Sequence, residues 1–171
     1  QIQNQRRNYL ITQHHAKITG KNKMQICTKE GKQYVLCAWR RRYVRLTPEE
    51  HIRQMMLHAL VEQLDYPHNL IGVEVPIIVA GKSKRCDAIV YDRHMQPLML
   101  IEFKAPIVQL TQEVFDQAAI YNRTLNVPYM LLSNGEHVYV AKVQENEYDF
   151  LDHIPNYEEL VIDNKYNKNL K

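Results

Sequence analysis

The sequence has no apolar run long enough to cross a bilayer. Stretches such as Leu98-Met99-Leu100-Ile101 fall far short of the roughly 18 residues that a membrane span needs, so a membrane partner is not expected. The segment Gln1 to Asn8 is polar, carries Arg6 and Arg7, and lacks an apolar stretch leading to a small-residue cleavage site. No secretory signal is read there, and a cytoplasmic location is expected. Cysteine is scarce: Cys27, Cys37 and Cys86 are odd in number and show no CxxC spacing, which excludes a disulfide framework and a zinc knuckle and leaves reduced thiols. The eight histidines lack HExxH or HxH spacing, so zinc hydrolase chemistry has no support. Glycine is sparse as well. Ala80-Gly81-Lys82-Ser83 contains the GKS of a phosphate loop, but Pro76 stands where the earlier glycine is required and no helical pattern follows, so it reads as a hairpin turn.

What is present suits one soluble domain. At 171 residues, 45% hydrophobic and 24% charged, the chain can bury a sizeable core without a disulfide or structural metal. Its net charge of +3 conceals an asymmetry. Residues 1–46 carry eleven Lys/Arg against the single acid Glu30, a net of +10, while the remainder has eleven bases against eighteen acids, a net of −7. The densest basic cluster is Arg40-Arg41-Arg42 with Arg45, interleaved with Trp39 and Tyr43. Such a cluster can neutralise phosphates and stack on bases, or can lie on the chain's own acidic body.

Residues 1–46 have weak periodicity and suggest a short helix or strand plus loop. Thr47-Pro48-Glu49-Glu50 then has the form of a capping box, and the apolar spacing predicts a helix from about Pro48 to Leu64. Strands are expected over Leu70–Val79, Cys86–Tyr91 and Pro97–Lys104, as a meander. A helix from about Thr111 to Leu125 and strands over Tyr129–Ser133 and His137–Val143, joined at Asn134-Gly135, complete the pattern. This order predicts an α/β (α+β) fold in which a mixed sheet of about five strands is flanked by helices.

Charged residues interrupt this pattern where strands should be apolar. Asp87 opens the second strand, and Glu102 and Lys104, two apart on the third, leave the same face. Two carboxylates on adjacent antiparallel strands can converge on a hard divalent ion such as Mg²⁺, with Mn²⁺ as a substitute, and Lys104 beside it could orient water or stabilise charge developing on a phosphate. Glu102 and Lys104 could instead be ordinary solvent-facing residues. Gln117 and Tyr121, four apart on a helix, share a face that could turn to the site or hold a partly buried amide and a core tyrosine. Glu49 is a further acidic candidate on the apolar face of the first helix, or a residue that merely suits the helix dipole.

Asp87, fourteen residues, then Glu102-Phe103-Lys104 resembles the PD-(D/E)xK nuclease core, and Gln117-xxx-Tyr121 resembles the QxxxY motif of its RecB-like branch. More specifically, Leu46-Thr47-Pro48-Glu49-Glu50, Lys84-Arg85-Cys86-Asp87, Leu100-Ile101-Glu102-Phe103-Lys104-Ala105-Pro106, Phe115-Asp116-Gln117 and Val127-Pro128-Tyr129 to Ser133-Asn134-Gly135 are similar to the N-terminal nuclease domain of type I restriction enzyme R subunits. The likeness extends from about residue 40 to residue 157; Cys86 stands where the core motif has proline. The resemblance implies a restriction-endonuclease-like core over 47–160, preceded by a basic arm (1–46) and followed by a polar tail (161–171). It implies metal-binding and catalytic roles for Asp87, Glu102 and Lys104, with Gln117 and Tyr121 supporting the site or DNA. Glu49 is carried as a third metal ligand, and Arg40, Arg41, Arg42, Arg45, Lys84 and Arg85 as DNA contacts. The expected partners are double-stranded DNA and other subunits of a restriction complex. A non-catalytic DNA-binding or assembly module of the same fold is the competing reading.

Overall fold

The structure is a computed structural model that describes residues 24–144 and 147–169. The first half of the basic arm, residues 1–23, lies outside the described residues. Three strands follow: β1 (Ile26–Lys29), β2 (Lys32–Cys37) and β3 (Arg42–Arg45), paired antiparallel in the order β1-β2-β3. Val35 and Cys37 are buried on one face, while Tyr34, Tyr43 and Arg45 share the other.

Helix α1 (Pro48–Leu64) begins where Thr47 caps it, its hydroxyl accepting from the Glu50 amide at 3.1 Å. Only half of the expected capping box forms. The Glu50 carboxylate turns inward instead of back to the cap, for reasons that belong to the site. At the other end Asp65 takes the left-handed conformation (φ 58°) and closes the helix.

A six-stranded mixed sheet then runs in sequence order: β4 (Ile71–Val79), β5 (Lys82–Tyr91), β6 (Pro97–Phe103), β7 (Tyr129–Ser133), β8 (Val138–Gln144) and β9 (Glu147–Phe150). All neighbours are antiparallel except β6 and β7, which are parallel and joined through α2 (Gln112–Leu125). The α+β expectation stands, with six strands where about five were expected. The additional strand, β9, has only four residues, too few for its polar–aromatic alternation to stand out as a strand signal. β5 also reaches further back than expected, through Lys82-Ser83-Lys84-Arg85, because it completes a hairpin with β4. Helix α3 (Tyr157–Asn169) extends into the residues read from sequence as a polar tail; the Tyr129 hydroxyl donates to Asp163, and Lys142 Nζ lies 2.8 Å from the same carboxylate. No helix among the described residues is long and apolar enough to cross a membrane.

The core has two layers. Met56, Leu57 and Leu60 of α1 pack with Leu160 of α3 on Met99, Ile101 and Phe103. On the opposite face, Phe115, Ala118 and Ala119 of α2 cover Leu100, Met130 and Leu132. The Asn134-Gly135 connection is drawn against α1: Gly135 has φ +87°, and a Cβ there would lie 2.3 Å from Ile52 Cδ1. Gly135→Ala therefore combines backbone strain with overpacking, and its thermal midpoint should fall by roughly 3–10 °C, equivalent to about 1–3 kcal/mol. An unchanged melting curve would contradict this.

Candidate functional site

β4 and β5 carry an irregularity that builds the site. A regular strand keeps residues two apart on one face. Yet Ile71 and Val73 pack on the α1 side, whereas Val75, Ile77 and Val79 pack on the α2 side. The face changes at Glu74, a non-glycine residue at φ 55°. Across the hairpin the same change falls at Asp87, between Cys86 on the α2 side and Ala88 on the α1 side. Left-handed backbone at such a residue costs about 1–3 kcal/mol and persists only where surrounding contacts impose it. Gly72 is required nearby, since a Cβ there would meet Val75 Cγ2 at 2.8 Å.

Asp87 and Glu102 meet across β5 and β6. The Asp87 amide donates to Glu102 Oε1 at 3.3 Å, and the Phe103 amide donates to Asp87 Oδ2 at 2.7 Å, so backbone hydrogen bonds orient both carboxylates. Glu102 is 6% exposed. Burial, then the neighbouring Asp87 charge, push its carboxyl up to about 8. Burial and the same two acids hold the Cys86 thiol at about 12, so it is an inert thiol. Lys104 follows β6, its amide donating to the Ser133 carbonyl at 2.8 Å, and its charge acts on both Glu102 and Glu49.

Glu49, on the first turn of α1, keeps a half-exposed side chain. It lies 3.9 Å from Arg53 Nη2, the atom that bonds Asp87, and burial and then the Asp87 charge raise its carboxyl. Tyr121, half-buried on α2, is raised by burial and then by Glu102, Cys86 and Asp87. Gln117, one turn earlier on α2, is exposed. The structure thus gathers Asp87, Glu102, Lys104, Glu49 and Tyr121 around one end of the sheet, with Gln117 on the solvent side.

Two arginines occupy the centre. Arg53 of α1, 4% exposed, directs Nη2 to Asp87 Oδ1 (2.5 Å) and Nη1 to Glu50 Oε2 (2.6 Å) and Glu74 Oε1 (3.1 Å). Its pKa is raised because Asp87 and Glu50 outweigh its own desolvation. Arg40, from the β2–β3 turn, bonds to Glu50 and approaches Glu74 at 3.9 Å, while its Nε donates to Cys37 Sγ at 3.2 Å. These contacts turn Arg40 inward, away from the surface role expected of it. Arg41, Arg42, Arg45, Lys84 and Arg85 are exposed. Arg45 lies 5.8 Å over the Tyr34 ring, and Arg85 Nη1 lies 3.3 Å from Glu74. Sequence reasoning passed over Arg53 and Glu74, and read Glu50 only as the acid of a capping box. A polar signal existed in each case: Arg53 sits one turn beyond Glu49 and Glu50, and Glu74 interrupts a Val/Ile strand.

Among the described residues no three acidic, His or Cys side chains converge as a ready metal cage. Mg²⁺ requires only one or two carboxylates and keeps its other oxygens from water and phosphate, so the Asp87–Glu102 pair fits such an ion. Two acids crowded enough to raise one of them are also what a divalent cation would relieve. In metal-free protein, Glu102 ionises at a higher pH folded than unfolded, so the part of the stability that its neutral form contributes is fully present below about 4.5 and is lost as pH rises through about 8. Glu102→Gln should flatten that decline in denaturation curves recorded with EDTA at pH 5 and pH 8.5, and parallel curves for both proteins would disprove it.

A solved structure from Anabaena variabilis, a candidate nuclease belonging to DUF820, is similar at 13% identity and a TM-score of 0.46, covering 78% of this chain and 82% of that one. No curated protein matches. Residues 48–155, which run from the first residue of α1 to the loop before α3 and include every acid of the site, match the family of the type I restriction enzyme R protein N terminus (HSDR_N). The chain belongs to that family.

Proposed function

We propose that this domain is a Mg²⁺-dependent endonuclease of the type I restriction R-subunit kind, which hydrolyses phosphodiester bonds of double-stranded DNA in the cytoplasm. The observation that carries this reading is the Asp87–Glu102 pair, oriented by backbone amides of adjacent strands, with Lys104 immediately beyond. Asp87 and Glu102 would hold the ion, with Glu49 as the third carboxylate at hand. When bound, the ion supplies Lewis-acid polarisation of a phosphoryl oxygen.

The chain's own residues do the rest. Lys104 offsets negative charge developing on the phosphate as water attacks and a bridging P–O bond breaks. Tyr121 and Gln117, one turn apart, face the DNA backbone from α2. The exposed Arg41, Arg42, Arg45, Lys84 and Arg85 contact phosphates and offset repulsion from the acidic body. Other subunits of a restriction complex are the protein partners this role entails.

Incubation of plasmid DNA with the protein and Mg²⁺ should give nicked or linear product, and EDTA should abolish it. DNA binding without cleavage at any Mg²⁺ or Mn²⁺ concentration would instead identify a binding or assembly module.

A further inference from the structure

Four carboxylates surround one buried guanidinium. Arg53 lies within 4 Å of Glu49 (3.9 Å), Glu50 (2.6 Å), Glu74 (3.1 Å) and Asp87 (2.5 Å). This exceeds what is needed to brace a helix, for which one or two partners suffice. An arginine is suited to it because its planar fork can serve several oxygens at once, whereas an ammonium is a point charge. The guanidinium is also not placed for hydrogen bonding alone: its Nε is buried with no partner. Its charge is what the position uses.

The charges nearly balance. Glu49, Glu50, Glu74, Asp87 and Glu102 face Arg40, Arg53 and Lys104, with Arg85 at the exposed rim, 3.3 Å from Glu74. Fully ionised, five carboxylates against four cations leave a formal −1, so the cluster has negative charge for one divalent ion and not for two. Asp87 is shared between the two regions: Oδ1 faces Arg53, and Oδ2 is oriented by the Phe103 amide on the Glu102 side. Without Arg53, Asp87 would lose its cation, and Glu50 and Glu74 would keep only Arg40 and, at the exposed rim of Glu74, Arg85.

We propose that Arg53 stands in the place of a second divalent cation, so that this site takes one metal ion and not two. The inference rests on the proposed role of Asp87 and Glu102 as metal ligands and deepens it. Arg53 is here a positioning residue: it fixes Asp87 and neutralises the inner carboxylates without touching substrate.

The test is Mn²⁺ stoichiometry on DNA-free protein, read from the electron paramagnetic resonance signal of free Mn²⁺, beside thermal melts with and without the ion. Wild type should bind one Mn²⁺ per chain. Arg53→Gln should bind two, and its lowered melting temperature should recover with Mn²⁺ by more than the wild type gains. Adding Glu50→Gln to that variant should return it to one ion. Arg53→Lys, which keeps the charge, should bind one. If Arg53→Gln binds a single ion with wild-type affinity, or remains unfolded at saturating Mn²⁺, the inference is overturned. A wild type that binds no Mn²⁺ while Arg53→Gln binds one would overturn the Asp87–Glu102 assignment and leave the role of Arg53 standing.

Discussion

Asp87→Asn and Lys104→Ala should each lower Mg²⁺-dependent DNA cleavage by roughly 10²–10³-fold or more, the scale seen when one preorganised electrostatic group is removed from an active site. The two variants fail for different reasons. Asn keeps one acceptor oxygen, for either the Phe103 amide or Arg53 but not both, and removes the negative charge that would hold the ion, so metal affinity falls with activity. Lys104 makes its hydrogen bond to Ser133 through its backbone, which alanine retains. Its loss should lower kcat while leaving metal binding and the thermal midpoint near wild type. Cleavage kinetics and Mn²⁺ titration on the same preparations separate these outcomes, and a Lys104→Ala enzyme of wild-type rate would remove that residue from the reaction.

Replacing Arg41, Arg42 and Arg45 together with alanine should reduce the log–log salt slope of duplex binding by about 2.7, at about 0.9 for each phosphate no longer neutralised, which amounts to roughly a 500-fold loss of affinity at 0.1 M salt relative to 1 M. Arg40 is left out of this set because Glu50 holds it inside the fold. Its replacement should instead lower stability. Fluorescence anisotropy over a range of salt concentrations distinguishes the two classes of arginine: a triple variant with the wild-type slope but a lower melting temperature would mean that these side chains serve the fold and not the duplex.

The sequence exposed those parts of the molecule that rest on local rules. α1 was legible from its cap and proline, α2 and the central strands from apolar spacing, and the Asp87–Glu102 pair from carboxylates placed where strands are apolar. The electrostatic centre was not legible. Arg53 and Glu50 look like an ordinary surface pair at helical spacing, and only the inward turn of the first helical residues distinguishes them from solvated charge. Glu74 was hidden for another reason: its strand changes face midway, so period-two reading assigns it the wrong surroundings. The β1–β3 sheet escaped because its strands are short and its buried residues few, and Arg40 was read as one of a run of three identical neighbours although its backbone turn sends it in a different direction.

The position of Arg40 bears on where the folded unit begins. The family match begins at residue 48, as if the unit started with α1. Its charge balance starts earlier. A fragment cut at that border would leave Glu50 buried without Arg40, and would strip Trp39 from its stack on His68, whose rings lie 4.6 Å apart. The structural unit therefore extends beyond the matched residues: the small sheet before α1 supplies one of the two cations on Glu50, and Arg53 alone would remain to it without that sheet.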